Sequence, residues 1–175
     1  MLLSDVELRT EISEGRLVLD PPPSEMAIQS ASIDLSFHNV FWRPRHGLKG
    51  YTVVPSQADP YKFMDREQRD EVELAPGDLI LGETAEAISL PPHLAAWIEG
   101  KSGLARHGLL VHLTAPHIAP GWGTPNPKRI TLELVNLSGV THRLMAGEAI
   151  AQLLVTRLSS PSRKPYSGKH LARGS

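Results

Sequence analysis

Alternating apolar and polar residues recur along most of this chain, in short segments that proline and glycine separate. In the segment 32–41, Ile33, Leu35 and Phe37 alternate with polar residues. The same period of two continues in four later segments, which are 73–101, 108–115, 129–138 and 142–158. This period is the pattern of half-buried strands, and such closely spaced breaks are typical of barrels and jelly rolls. We therefore predict a mainly β domain, a distorted β-barrel or jelly roll of about eight to ten strands.

The N-terminal residues depart from this period and predict a single short helix. Ser4 is a favourable N-cap, and Glu7 three positions later completes a capping box. Gly15 is a suitable stop, so we place the helix at about residues 4–14. The DPPPSEM that follows is stiff and extended, because proline fixes its own φ and disfavours helix in the residue before it.

Length and composition predict one domain with a polar tail. A chain of 175 residues is large enough for one core, and its 14 glycines and 15 prolines disfavour a helical bundle. We expect residues 1–158 to form the single domain and residues 159–175, which are polar and basic, to form a flexible tail or lid. The segment from Gly47 to Glu71 is polar and contains proline, and it is predicted to be a long excursion.

The composition disfavours several classes of function. Without cysteine there is no disulfide framework, no thiolate nucleophile and no cysteine-bound zinc. A net charge of -1 and the lack of a basic stripe disfavour nucleic-acid binding. No apolar run approaches the roughly 18 residues of a membrane span, and no signal segment is evident. We expect a cytoplasmic protein that binds neither nucleic acid nor membrane.

The sequence RITLELVN contains the carboxylate that most needs an explanation. Strand alternation divides its central residues into two faces, Ile130, Leu132 and Leu134 against Thr131, Glu133 and Val135. One interpretation is that Glu133 simply faces water. Its neighbours favour a half-buried face instead, where burial stabilises the uncharged form of a carboxyl and general acid or base chemistry becomes possible.

The sequence GKSGLARHG brings together groups that favour an anion. Backbone N–H groups near Gly100 and Gly103, the Ser102 hydroxyl and the cations of Lys101 and Arg106 could form an anion-binding concavity. The spacing is not that of a P-loop. The alternative for Arg106 is a structural ion pair.

Metal and serine-nucleophile chemistry find little support in the residue spacing. His112 and His117 are candidate metal ligands, but no third ligand is suitably spaced, and packing on a strand face is the better interpretation of His112. The zinc deaminases need cysteines that this chain lacks. A serine hydrolase is disfavoured because no GxSxG elbow occurs.

Seven stretches follow one another along nearly the whole chain: LLSDVELRTEISEGRLVLDP, SASIDLSFHN, LAPGDLILGETAEAISLP, EGKSGLARHGLLVHLTA, PGW, ITLELVN and AIAQLLVTRLSSP. In this order they resemble the deoxycytidine triphosphate (dCTP) deaminase family, part of the trimeric dUTPase-like superfamily. The resemblance implies a dUTPase-like barrel or jelly roll of the β-clip type. It also implies a homotrimer with active sites at the subunit interfaces.

The resemblance implies a reaction and roles for three residues. Glu133 matches the family's catalytic glutamate, which takes a proton from water attacking C4 of cytosine and delivers it to the departing amine. Ser102 and Arg106 match the residues that orient this glutamate and the water. The implied reaction is hydrolytic deamination of dCTP to dUTP and ammonia. Magnesium would be held by the substrate phosphates, and no zinc would take part.

Other positions match nucleotide contacts of the family. They are Lys101, Ser102, Gly103 and Arg106 near the triphosphate, Thr114 and Ala115 at the pyrimidine edge, Thr131 and Leu132 beside Glu133, and Gln152, Tyr166 and Lys169 from the last strand and the tail. The basic tail would then close over the triphosphate as a lid and keep water out.

Two departures from the family pattern bear on activity. Ala119 precedes PGW. At this position the family has an aspartate that contacts the sugar 3′-hydroxyl, and related dUTPases use the corresponding aspartate to position the attacking water. Loss of that hydrogen bond would weaken binding by about 1.5–3 kcal/mol, and it disfavours hydrolysis of the phosphate chain. The segment GTPNPKR, residues 123–129, is longer than the family connection. It is either a neutral loop extension or a change at the pocket mouth in which Lys128 or Arg129 contacts phosphate.

Three functions therefore stay open. A dCTP deaminase that forms dUTP comes first, because Glu133 and Arg106 are the residues that deamination needs. A dUTPase or a bifunctional deaminase and diphosphatase comes second; Gly103 in the SGLA spelling favours it, and Ala119 argues against it. The third is a nucleotide-binding or regulatory homologue in which Ala119 marks lost or redirected chemistry.

Overall fold

The computed structural model describes residues 1–166, and its elements follow one another in a mainly β chain. The helices are α1 (Asp5–Ser13) and α2 (Ser102–Arg106), with single 3₁₀ turns at Glu25–Ala27 and Pro60–Phe63. The strands are β1 (Val18–Asp20), β2 (Ile33–Pro44), β3 (Met64–Gln68), β4 (Glu71–Leu74), β5 (Leu79–Ser89), β6 (Leu94–Gly100), β7 (Leu109–Leu110), β8 (His117–Ile118), β9 (Lys128–Asn136), β10 (His142–Met145) and β11 (Ala149–Arg157).

Most strands belong to one antiparallel sheet that curls into a half-barrel. Its strand order is β7-β9-β5-β2-β11-β6-β8, with β1 pairing with β5 and β3 pairing with β2. Strands β4 and β10 form a separate two-stranded ribbon. The mainly β fold with a short N-terminal helix confirms the predicted fold class.

The concave side of the sheet carries the core, as the period of two predicted. Ile33, Leu35 and Phe37 of β2 are almost fully buried. The inward residues Ile130, Leu132 and Leu134 of β9 are buried in the same cluster. A side chain at Gly82 of β5 would come within 2.7 Å of the Phe37 ring, so the core at this point has room only for glycine. Because Ile130, Leu132 and Leu134 pack into the core, only the opposite side of β9 is left to carry functional side chains.

Helix α1 has the predicted boundaries and is held to the sheet by a buried carboxylate. The capping box between Ser4 and Glu7 is present. Glu11 is 1% exposed and accepts hydrogen bonds from Arg16 at 2.6 Å, Arg157 at 2.7 Å and His93 at 3.1 Å. Burial alone would raise the pKa of Glu11, but these hydrogen bonds outweigh it and lower the pKa to about 2.

Two segments differ from the sequence prediction. The excursion 47–71 contains β3, which pairs with β2 along Val40–Pro44. Most residues of β3 are exposed, so the strand is held by backbone pairing and leaves no apolar alternation to detect. Conversely, the segment 108–115 contains only the two-residue strand β7, because the chain leaves the sheet after Leu110.

Neither helix within residues 1–166 combines the length and the apolar character that crossing a bilayer requires.

Candidate active site

Glu133 lies on the outer face of β9, among residues that are neither buried nor free in water. Arg129, Thr131, Glu133 and Val135 share this face and are all half-buried. The Glu133 Oε2 atom accepts a hydrogen bond from the backbone N–H of Leu113 at 3.3 Å. The interpretation in which Glu133 simply faces water is therefore wrong.

The backbone edge of β9 beside Glu133 is only partly covered by a neighbouring strand. On that side β7 pairs with Val135 and Asn136 and then ends. Asn136 bonds through its N–H and C=O to the opposite side, at Asp78 and Gly77. Because these directions alternate along an antiparallel strand, Thr131 and Glu133 point their backbone groups toward the open edge. An open row of peptide groups beside a carboxylate is suited to a flat polar ring.

The loop between β7 and β8 faces this open edge and supplies the amide that binds Glu133. Thr114 and Ala115 follow Leu113 in this loop and are exposed. Pro116 fixes the end of the loop, because its carbonyl accepts a hydrogen bond from the Ile98 N–H at 2.9 Å. The two residues predicted at the pyrimidine edge therefore lie next to the residue that contacts Glu133.

Leu132 lies on the opposite face of β9 from Glu133. Its side chain is fully buried and belongs to the core cluster. It points away from the outer face that Thr131 and Glu133 share, because consecutive strand residues alternate. Its side chain therefore supports β9 from behind, and the expectation that Leu132 flanks a nucleotide beside Glu133 stays a prediction.

Helix α2 presents the predicted anion-binding residues, and two of them are unengaged. Ser102, Gly103 and Arg106 are exposed. Within residues 1–166, the Ser102 and Arg106 side chains make no hydrogen bond or ion pair, so a structural ion pair for Arg106 is not found there. Lys101 is engaged: its Nζ lies 2.6 Å from Oδ1 of Asp34. The chain thus does not join Ser102 or Arg106 to Glu133 by a direct contact.

Gln152 on β11 contacts the residue that precedes Lys101. Its Nε2 donates to the Gly100 carbonyl, and its Oε1 accepts from the Ser32 hydroxyl, both at 3.2 Å. Gln152 therefore braces the start of the anion-binding segment.

Ala119 and the end of the described chain meet at the PGW turn. Ala119 is half-buried, and its carbonyl accepts a hydrogen bond from the Trp122 N–H at 3.1 Å. Tyr166 packs on Trp122 with ring centroids 5.3 Å apart, and its N–H donates to the Pro120 carbonyl at 2.9 Å. The described residues therefore end beside this turn. Lys169, also predicted as a contact, lies outside the described residues.

The extension 123–129 folds back on the end of β5. The Thr124 hydroxyl lies 3.0 Å from the Ser89 hydroxyl and donates to the Leu90 carbonyl at 3.2 Å. At its other end, Arg129 has entered β9 on the Glu133 face. The Arg129 Nε atom is buried with no hydrogen-bond partner among residues 1–166. Arg129 is half-buried, and the contact with phosphate that the sequence suggested for it stays a prediction.

Glu83 is a half-buried carboxylate on the same face that the sequence did not single out. It pairs across β5 and β9 with Thr131, and the Thr131 hydroxyl lies 3.3 Å from that of Tyr61. Burial raises the pKa of Glu83, and the positive charges of Arg129 and Arg66 oppose the rise. The register that brings Glu83 beside Thr131 is a long-range property, so no local signal could have identified it.

The histidines named as candidate metal ligands do not converge. Nε2 of His112 lies 3.8 Å from a Glu99 carboxylate oxygen. His117 instead packs against Trp97, with ring centroids 5.5 Å apart. In the described part of the chain, no group of three or more histidine or acidic side chains has metal-binding geometry.

Comparison with known proteins places this arrangement in a family. A family model described as dCTP deaminase-like matches residues 2–158. A protein of Clavibacter michiganensis subsp. michiganensis named dCTP deaminase, dUMP-forming, is 39% identical over 176 residues, covering 99% of this chain and 85% of the relative. A protein of Streptomyces avermitilis with the same name is 41% identical over 168 residues, covering 95% and 85%.

A solved structure agrees with the fold. The crystal structure of 2′-deoxycytidine 5′-triphosphate deaminase from Agrobacterium tumefaciens matches with a TM-score of 0.68 at 17% identity. The match covers 88% of this chain but 47% of that one, so this chain spans about half of its length. At this identity the likeness concerns the fold alone. The family model and the close relatives confirm the resemblance seen in the sequence, and the chain is a member of the dCTP deaminase-like family.

Proposed function

We propose that this protein is an enzyme that deaminates dCTP by hydrolysis at C4 of cytosine. The observation that carries the proposal is the half-buried Glu133 carboxylate, which lies at an open strand edge and accepts the Leu113 N–H at 3.3 Å. The names of the relatives support the substrate, because both are called dCTP deaminases.

The proposed chemistry needs one base that later acts as an acid. Glu133 takes a proton from a water molecule whose oxygen forms a bond to C4. The same carboxyl then delivers the proton to the exocyclic amine, the C4–N bond breaks, and ammonia leaves. The atoms balance without oxidation or reduction.

The open edge of β9 is the proposed place for the pyrimidine. Backbone N–H and C=O groups at Thr131 and in the Thr114–Ala115 loop would bind its donor and acceptor atoms. Once a base covers these peptide groups, each N–H needs an acceptor and each C=O needs a donor on the base. A base with the reverse pattern of donors and acceptors would bind poorly, because it would leave buried polar groups unpaired.

The second copy of the chain is proposed to complete the site. Ser102 and Arg106 project from the exposed face of α2 and have no partner within residues 1–166. In a homotrimer with interfacial sites, they would reach the Glu133 of a neighbouring subunit, orient the water and stabilise charge at C4. The trimer itself is part of this proposal.

Magnesium is proposed as a companion of the triphosphate. Phosphate oxygens are the ligands that this hard cation prefers, and its charge would offset theirs. Lys101 and the exposed start of α2 would face the phosphates. Tyr166 and Lys169 would close over the nucleotide from the tail.

The fate of the phosphate chain separates two candidate products. Ala119 supplies no carboxylate to position a water at the phosphates, so we propose dUTP as the product. Formation of dUMP is the second candidate, and the name of both relatives favours it.

Product analysis tests the proposal. The protein is incubated with dCTP and Mg²⁺, and ammonia, dUTP, dUMP and pyrophosphate are quantified in one time course. Equal amounts of ammonia and dUTP support the first product, and ammonia with equal dUMP and pyrophosphate supports the second. Tight dCTP binding without ammonia would reject the enzyme and favour a regulatory homologue.

A further inference from the structure

Asp34 and Lys101 form a close ion pair directly behind the proposed phosphate-binding segment. Asp34 lies on β2, and Lys101 is the N-cap residue directly before α2. Their Nζ–Oδ1 distance is 2.6 Å, and the side chains are 15% and 30% exposed. The other Asp34 oxygen accepts a hydrogen bond from Gln29 at 3.4 Å. The carboxylate thus accepts a hydrogen bond at Oδ2 and contacts Lys101 at Oδ1 as an ion pair without hydrogen-bond geometry, while Lys101 keeps part of its surface open.

A second contact fixes the backbone next to Lys101. Gln152 lies between Asp34 on β2 and Glu99 on β6 in the sheet register. Its amide binds the Gly100 carbonyl, at the position just before Lys101. The main chain and the side chain of this segment are therefore held from the same side, by β2 and β11.

The ion pair leaves Lys101 able to bind a further oxygen. An ammonium group has three N–H donors, and one carboxylate oxygen does not occupy all of them. A lysine side chain is long and flexible, so a lysine without a partner loses conformational entropy when it binds an anion, and this loss weakens binding. Asp34 lowers that cost in advance by holding the ammonium nitrogen 2.6 Å from its carboxylate.

We propose that Asp34 is a positioning residue that holds Lys101 for the triphosphate of the substrate. This inference rests on the proposed function, because it takes a nucleoside triphosphate as the ligand. It assigns Asp34 no contact with substrate: the carboxylate acts only through the lysine.

The direction in which Asp34→Asn changes the affinity for phosphate distinguishes positioning of Lys101 from a simple effect of charge. Asp34 is negative, so its removal makes the site more attractive to phosphate if charge alone matters. If positioning dominates, the same removal weakens binding despite the gain in positive charge. Asp34→Asn keeps the shape of the side chain and therefore tests the sign directly.

The experiment measures binding and turnover for Asp34→Asn, Lys101→Met and the double variant. Calorimetry gives the Kd of Mg²⁺-tripolyphosphate and, in a Glu133→Gln background, of Mg²⁺-dCTP. We expect Asp34→Asn to raise both Kd values about tenfold. The KM for dCTP should rise in parallel while kcat changes less than about twofold. In the Lys101→Met background, Asp34→Asn should have no further effect.

Matched variants separate this effect from lost stability. Asp78→Asn removes another partly exposed ion pair, with Arg43 at 3.1 Å, in the turn between β4 and β5. We expect it to leave Kd and KM unchanged. Asp34→Glu keeps the charge but moves the carboxylate by one methylene, so it should weaken binding several-fold, and it provides the test if Asp34→Asn fails to fold.

The proposal is overturned by tighter or unchanged binding in Asp34→Asn, or by an equal loss in the Lys101→Met background. It is also overturned if the parent binds neither tripolyphosphate nor dCTP. Failure of the proposed function looks different: ammonia is then absent, while the binding pattern of the four proteins stands.

Discussion

The Leu113 N–H binds the Glu133 carboxylate at 3.3 Å, which joins two segments 20 residues apart in the chain. One of these segments carries the candidate base, and the other leads into the loop predicted to bind the pyrimidine edge. A nucleotide that enters this slot would meet the amide and the carboxylate together. The contact therefore places the candidate acid–base residue next to the strand edge that is proposed to bind the pyrimidine.

Substitution of the candidate base should remove turnover and spare binding. Glu133→Gln keeps the size of the side chain and an acceptor for Leu113 but cannot take the proton from water. We expect kcat to fall by about 10²- to 10⁴-fold. Steady-state ammonia release measures the loss, and the Kd of dCTP should change little. A variant that retains parental kcat would show that Glu133 is not the base.

Restoring a carboxylate before the PGW turn should improve recognition of the sugar. Ala119→Asp supplies an acceptor for the 3′-hydroxyl, and we expect kcat/KM for dCTP to rise about tenfold or more. The control substrate is 2′,3′-dideoxycytidine triphosphate, which lacks that hydroxyl and should gain nothing. An equal gain for both nucleotides would mean that the aspartate acts elsewhere. Pyrophosphate assays on the same variant report whether phosphate-chain hydrolysis also appears.

The backbone at the start of the 123–129 extension should tolerate only glycine. Gly123 has a φ of +64°, and a Cβ there would come within 2.1 Å of the Ile88 carbonyl oxygen. We expect Gly123→Ala to cost about 3 kcal/mol, which lowers Tm by roughly 6–12 °C in a domain of this size. Gly139→Ala is the control, because no atom of residues 1–166 lies within 4 Å of its Cβ position. Equal melting curves for the two variants would contradict a tight contact between Gly123 and Ile88.

Acid should weaken the attachment of α1 through Glu11. The pKa of Glu11 is lowered to about 2 from 4.5, so the unfolded chain takes up this proton first as the pH falls. The stabilisation, about 3 kcal/mol, is complete above pH 4.5 and is lost as the pH falls toward 2. Urea unfolding of the parent and of Glu11→Gln at several pH values measures it. The stability gap should shrink below pH 4.5; a constant gap would exclude this linkage.

Local patterns in the sequence predicted the strands and the helix well. Alternation at Ile33, Leu35 and Phe37 correctly identified the buried face of β2, and the Ser4–Glu7 pair correctly identified the helix start. These signals are short-range, since they depend on side-chain period and capping within a few residues. Strand β3 was not predicted, because its residues are mostly exposed and its partner β2 lies 20 or more residues away in the chain.

The residues of the candidate site were predictable where they lie in one continuous family motif. They were less predictable where the pairing register of the strands brings distant residues together. Glu133 and Thr131 were found from ITLELVN, and their outward face followed from alternation. Glu83 reaches Thr131 only through the pairing of β5 with β9, and Asp34 reaches Lys101 only through the curl of the sheet. Alternation also placed Leu132 on the face opposite Glu133, and its side chain is fully buried there.

The most direct measurement of the central claim is oxygen incorporation during turnover in ¹⁸O-labelled water. The product is isolated after reaction of dCTP with Mg²⁺, and mass spectrometry locates the label. We predict one ¹⁸O in the uracil base for each ammonia released, with both signals lost together in Glu133→Gln. Unlabelled base in the product, or full labelling by the Glu133→Gln variant, would contradict water activation by Glu133.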